Sequence, residues 1–136
     1  MSTRKQRILI VDDNIDAAVM LGNALTLFGH TVRVAYDGAS ALAQAQDFVP
    51  AVAILDIKLP EMDGYELARR IRALPGLAGI SLLAFTGAVE EVDRLHEEDS
   101  GFRGTLMKPV DLKKALQLLE SLGQPAPTES GDARAA

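Results

Sequence analysis

The chain has 136 residues, 48% of them hydrophobic and 24% charged, enough to bury one sizeable core and too few for two ordinary domains. It contains no cysteine, which excludes a disulfide framework, cysteine-ligated zinc or iron-sulfur centres and a thiol nucleophile, and fits a reducing cytoplasm. A formal charge of -5 argues against direct nucleic acid binding, which draws on clustered Lys and Arg, and no apolar run reaches the length of a signal peptide or membrane span.

Residues 8–11 are apolar on both faces and rich in β-branching, the pattern of a parallel strand covered on both sides, and the run stops at Asp12-Asp13. From Asn14 or Asp16, apolar residues recur at helical spacing from Ala17 to Phe28, and Gly29 is placed to end that helix. Residues 31–36 read as a second strand, Asp37-Gly38 as a turn, and 39–48 as an alanine-rich helix closed by Pro50. A third strand over 51–55 ends at Asp56, a loop follows over 58–64, and a helix over 65–74 stops before Pro75-Gly76. Within that loop, Pro60 and Gly64 are expected to shape the backbone and not to do chemistry.

Residues 80–85 form a fourth strand ending at Thr86-Gly87, and 90–99 a strongly charged helix with little apolar surface. A short fifth strand over 105–107 precedes Lys108-Pro109, and Asp111 can cap a last helix carrying Leu112, Leu116, Leu119 and Leu122. Strict alternation of strands and helices implies a doubly wound α/β domain with a parallel sheet and helices on both faces. The domain is expected over 7–122, with a head over 1–6, Arg4, Lys5 and Arg7 as a solvated N-terminal end, and a disordered tail over 123–136 that lacks any large apolar residue. His30 and His96 are expected at the surface.

Ligands of such sheets bind beyond the carboxyl ends of the strands, where Asp12-Asp13, Asp56, Thr86 and Lys108 all fall. Three converging carboxylates repel one another and call for a cation, and a hard divalent ion such as Mg2+ suits oxygen ligands shared with a phosphate. An aspartate can accept a phosphoryl group when a cation neutralises the transferring oxygens. Asp56 is the best acceptor, since it stands alone at the end of a central strand, while Lys108 offers an ammonium, Thr86 a hydroxyl, and Gly87 backbone room.

ILIVDD, LDIKLPEMDGYEL, FTGA and LMKPV, in that order and register, make the chain resemble the receiver domain of the two-component response-regulator family in its single-domain form. The resemblance covers about residues 7–122. It implies a flavodoxin-like five-stranded sheet ordered 2-1-3-4-5. It also implies Asp56 as phospho-acceptor, and Mg2+ held by Asp12, Asp13, Asp56 and the backbone carbonyl of Lys58. Thr86 and Lys108 would attend the phosphate, and the proline after Lys108 would follow a cis peptide. The implied partner is a histidine kinase or histidine phosphotransfer protein, with no membrane insertion. The downstream surface lies on the 90–99 helix, the fifth strand and the last helix. No DNA-binding or catalytic output segment is read after Leu122, so the signal is expected to leave by a protein contact or by phosphate relay.

Two positions depart from the family pattern. Thr105 stands where the family usually carries an aromatic residue three positions before the lysine, so output is expected through other side chains such as Phe102 or Met107. Lys58 and Ala88 occupy the positions that govern hydrolysis of the acyl phosphate, and neither can orient water, which predicts a long-lived phosphoryl group. Two other functions compete. A phosphorylation-independent scaffold is favoured by Thr105 alone. An aspartate-nucleophile phosphatase would need an acid two residues after the nucleophile, where Lys58 stands.

Overall fold

The structure is a computed structural model and describes residues 5–87 and 101–123. Five strands, β1 (Arg7–Val11), β2 (Thr31–Ala35), β3 (Val52–Asp56), β4 (Ser81–Thr86) and β5 (Gly104–Met107), form one parallel sheet in the order β2-β1-β3-β4-β5. Among the described residues the helices are α1 (Ile15–Leu27), α2 (Gly38–Phe48), α3 (Gly64–Arg72) and α4 (Leu112–Gly123). The helix expected over 90–99 lies outside the described residues, as do the first four residues of the head and 124–136 of the tail. No helix of the described residues is long and apolar enough to cross a membrane.

The apolar runs of β1 and β3 are buried along nearly their whole length because alternate residues feed two separate cores. Leu9, Val11, Ala53 and Leu55 pack with Ala41 and Ala45 of α2 and Leu67 and Ile71 of α3. Ile8, Ile10, Val52 and Ile54 pack on the other face with Leu21 and Leu25 of α1 and Ala115 and Leu119 of α4. Each fully buried Leu or Ile stabilises the fold by about 1.5–3 kcal/mol, so these two cores hold the sheet between its helices.

Among the described residues every helix start is capped by an Asn or Asp side chain, which accepts a backbone N–H two or three residues into the helix. Asn14 accepts from Ala17 at 3.1 Å, Asp37 from Ser40 at 2.7 Å, Asp63 from Glu66 at 2.8 Å and Asp111 from Lys114 at 3.3 Å. The ends are less uniform. Gly29 leaves α1 with φ 96, as the sequence predicts. At the end of α2 a valine, Val49, takes the left-handed conformation with φ 49 where the chain turns at once into β3, against the extended backbone that a residue before proline ordinarily prefers.

One expectation is overturned. His30 is not at the surface but 3% exposed, because the segment before β1 folds across it. Lys5 and Gln6, read as part of the head, are tied to that place: Lys5 Nζ donates to Phe28 O at 3.3 Å and Gln6 Nε2 to Leu119 O at 3.0 Å.

Candidate functional site

β1 and β3 lie side by side, so their carboxyl ends deliver Asp12 and Asp56 to one mouth. β4 adds Thr86 one residue beyond the Asp56–Phe85 pairing, and the turn after β5 adds Lys108. Asp12, Asp56 and Thr86 are all buried, whereas Asp13 is exposed. One carboxylate oxygen from each of Asp12, Asp13 and Asp56 lies within 4.8 Å of the others, an oxygen donor set of the kind that suits a hard divalent cation.

Backbone amides fix two of these acids. Asn14 N–H donates to Asp12 Oδ1 at 3.0 Å and Lys58 N–H to Asp56 Oδ1 at 3.1 Å, so each turn after its strand holds one oxygen and leaves the other toward the mouth. Lys108 Nζ stands between these second oxygens, 2.7 Å from Asp12 Oδ2 and 3.4 Å from Asp56 Oδ2. Among the described residues the neutralising partner of the buried Asp12 Oδ2 is that ammonium alone, and an oxygen held only by a counter-charge suits a cation ligand.

The charges follow from burial. Desolvation first, and the adjacent Asp12 carboxylate second, push the Asp56 carboxyl up to about 6 against the opposing pull of the Lys58 N–H and the Lys108 charge. Burial alone would lower the Lys108 ammonium, but contact with Asp12 and the charges of Asp56 and Asp12 hold it above its ordinary value. Lys108 is therefore charged at neutral pH, and its Nζ also rides 4.9 Å above the Phe85 ring.

The tight point of the mouth is Gly64. A Cβ there would sit 2.7 Å from Asp56 O and 2.8 Å from Ile57 Cα, and Gly64 N–H donates to Ile57 O at 2.8 Å. The glycine is needed for close approach of α3 to the backbone beneath Asp56. At Gly87, by contrast, a Cβ would meet Lys108 Cβ at an ordinary 3.7 Å among the described residues. The Lys108-Pro109 peptide is cis, and Lys108 N–H donates to Thr86 O at 2.9 Å. Thr105 is half-buried in β5, while Phe102 meets the Tyr65 ring edge-on at 5.9 Å and packs with Ile57 and Ala84. Ala88 lies outside the described residues.

Three contributors escaped the sequence reading. Asn14, read as a possible helix start, also positions Asp12 through its N–H, Phe85 lies beneath the Lys108 ammonium, and a groove of about 470 Å³ adjoins the site. That groove runs between Ala17 and Met20 of α1 and the Lys108-Pro109-Val110 turn. Exposed apolar residues beside a strand-end site could have hinted at it, since Ile15 and Met20 are 57% and 66% exposed.

A five-stranded parallel sheet in this order, with acids at the ends of its first and third strands and a lysine after its fifth, defines a doubly wound α/β domain with a charged strand-end site. Residues 8–120 match the response regulator receiver domain, and the chain belongs to that family. It is 36% identical over 113 residues to an uncharacterized 14.6 kDa protein of Leptolyngbya boryana, covering 83% of this chain and 86% of that one. It is 37% identical over 114 residues to the DNA-binding response regulator MtrA of Mycobacterium bovis, covering 84% of this chain but 49% of MtrA, so it spans about half of that relative's length. Among solved structures it resembles the receiver domain of the sensor histidine kinase PA1611 of Pseudomonas aeruginosa, which holds a magnesium ion in its active-site cleft. The TM-score is 0.77 at 27% identity, with 89% of this chain and 100% of that one covered.

Proposed function

We propose that the chain receives a phosphoryl group on Asp56 from the phosphohistidine of a histidine kinase or histidine phosphotransfer protein, in a Mg2+-dependent step in the cytoplasm. The observation that carries this reading is the meeting of three carboxylates within 4.8 Å with Lys108 at the carboxyl end of a receiver-type sheet. As the bond from an Asp56 carboxylate oxygen to phosphorus forms, the phosphorus–nitrogen bond of the donor breaks and the imidazole leaves with that electron pair. Asp12, Asp13, Asp56 and the Lys58 carbonyl would hold Mg2+, which when bound neutralises negative charge on the phosphoryl oxygens.

Lys108 holds the phosphoryl group by charge and Thr86 by its hydroxyl, each from a neighbouring strand end. The groove between α1 and the 108–110 turn seats an apolar face of the donor protein next to Asp56, because it opens directly beside Lys108. Lys58 follows two residues after the acceptor and can neither accept a proton from water nor orient it for hydrolysis, so the acyl phosphate is long-lived. The signal then leaves through β5, α4 and the neighbouring Phe102, or by onward transfer of the phosphate.

Phosphotransfer from a phosphorylated histidine kinase tests the reading. Wild type is expected to take label in the presence of Mg2+ and Asp56→Asn to take none; equal labelling of both refutes it. A phosphoryl half-life in wild type no longer than that of the Lys58→Asn, Ala88→Glu double variant refutes the slow-hydrolysis part alone.

A further inference from the structure

At the opposite pole of the sheet, beyond the amino ends of the strands, His30 joins three parts of the fold. The ring follows α1, and its own backbone N–H donates to Leu25 O at 3.2 Å. Its Nδ1 accepts the Gln6 N–H at 3.1 Å, while Gln6 O receives Thr31 N–H at 2.9 Å at the start of β2. The Gln6 side chain then reaches across to Leu119 O of α4 at 3.0 Å. Residue 6 is thus held at its backbone by a histidine and holds a helix with its side chain.

We propose that Gln6 and His30 form an acid-released clasp that fastens α4 to the junction of α1 and β2. Because Nδ1 accepts from Gln6, the resting ring is neutral and carries its proton on Nε2. A second proton can go only to Nδ1, which then stops accepting and opposes the Gln6 N–H donor against donor. Among the described residues nothing favours the imidazolium. The ring is buried, its Nε2 has no partner, and the one charge acting on it is the Lys5 ammonium of like sign, with no charged side chain of α1, β2 or α4 doing so among the described residues. Burial first and Lys5 second therefore hold the His30 pKa below its ordinary 6.5.

The sign of the effect follows. The clasp contributes in full above pH 6.5, where ring and unfolded chain are both neutral, and is lost as pH falls below 6.5 toward the lowered folded value. In that window opening becomes more favourable by up to about tenfold per pH unit. The carboxylates of Asp12, Asp13 and Asp56 lie at the other end of the strands, so release loosens α4 without touching the acceptor pocket.

The test uses the full chain with His96→Gln, which leaves His30 as its one histidine. The ring resonance and amide hydrogen exchange, corrected for intrinsic rates, are followed from pH 7.5 to 5. The ring is expected to titrate below 6.5, and the amides of Gln6 and of residues 119–122 to lose protection roughly tenfold more than those of β3 as it does. Gln6→Ala, which keeps the backbone N–H but deletes the bond to Leu119, is expected to release the α4 amides at every pH and leave the ring titration in place. A ring that titrates at 6.5 or above overturns the clasp, as does α4 protection that stays in step with β3 across the titration.

Discussion

Asp56 is held in a form the fold itself disfavours. Its carboxyl titrates at about 6, while an unfolded chain releases the same proton near 3.8. Between those values the folded state binds the extra proton, so the stability tied to Asp56 is full below 3.8 and falls as pH rises through 6. Asp56→Asn removes that loss. Without metal, the variant is expected to exceed wild type in urea denaturation at pH 7.5 by about 1–2 kcal/mol, with the gap closing toward pH 4. Val49 is a second strained residue, a β-branched side chain at φ 49 that is 48% exposed and so gains little from packing. Val49→Gly relieves the left-handed strain and gives back part of the gain as unfolded-chain entropy, for a net rise of about 0.5–1 kcal/mol in the same assay.

Elements differ in how openly the sequence declared them. β1 and β3 were legible because runs such as ILIV and VAIL are apolar on both faces, and α1 because Asn14 and Gly29 bracket its period. The positions that escaped depend on contacts distant in sequence. His30 reads as a polar residue after a helix end until Gln6 folds over it, and Gly64 reads as a turn glycine until α3 is seen against the Asp56 backbone. The Lys108 groove likewise needs α1 beside the 108–110 turn. Its role is separable from the chemistry. Met20→Glu is expected to slow phosphotransfer from the histidine kinase at least roughly tenfold, by placing a charge on an apolar contact, while binding of beryllofluoride with Mg2+ stays as in wild type.

At the scale of the molecule the sheet has two working ends. Its carboxyl pole gathers three of the acids behind the net charge of -5 around Lys108, and its amino pole carries the His30 clasp. Alternation of strands and helices gave the α/β class directly, but the order β2-β1-β3-β4-β5 is a property of long-range pairing and followed only from the family resemblance. If the acidic cluster takes Mg2+ only when folded, the ion must raise the unfolding temperature in a concentration-dependent way. That rise is expected in wild type and reduced in Asp13→Asn, whose exposed carboxylate can be neutralised without leaving a buried charge unpaired.

The central claim is that phosphate resides on Asp56, and the most direct measurement is reductive trapping. Borohydride converts an aspartyl phosphate to homoserine, which peptide sequencing locates to one residue. After incubation with a phosphorylated histidine kinase and Mg2+, homoserine is expected at position 56 of the wild-type chain. Label retained on any other residue, or homoserine at a position other than 56, would contradict the account.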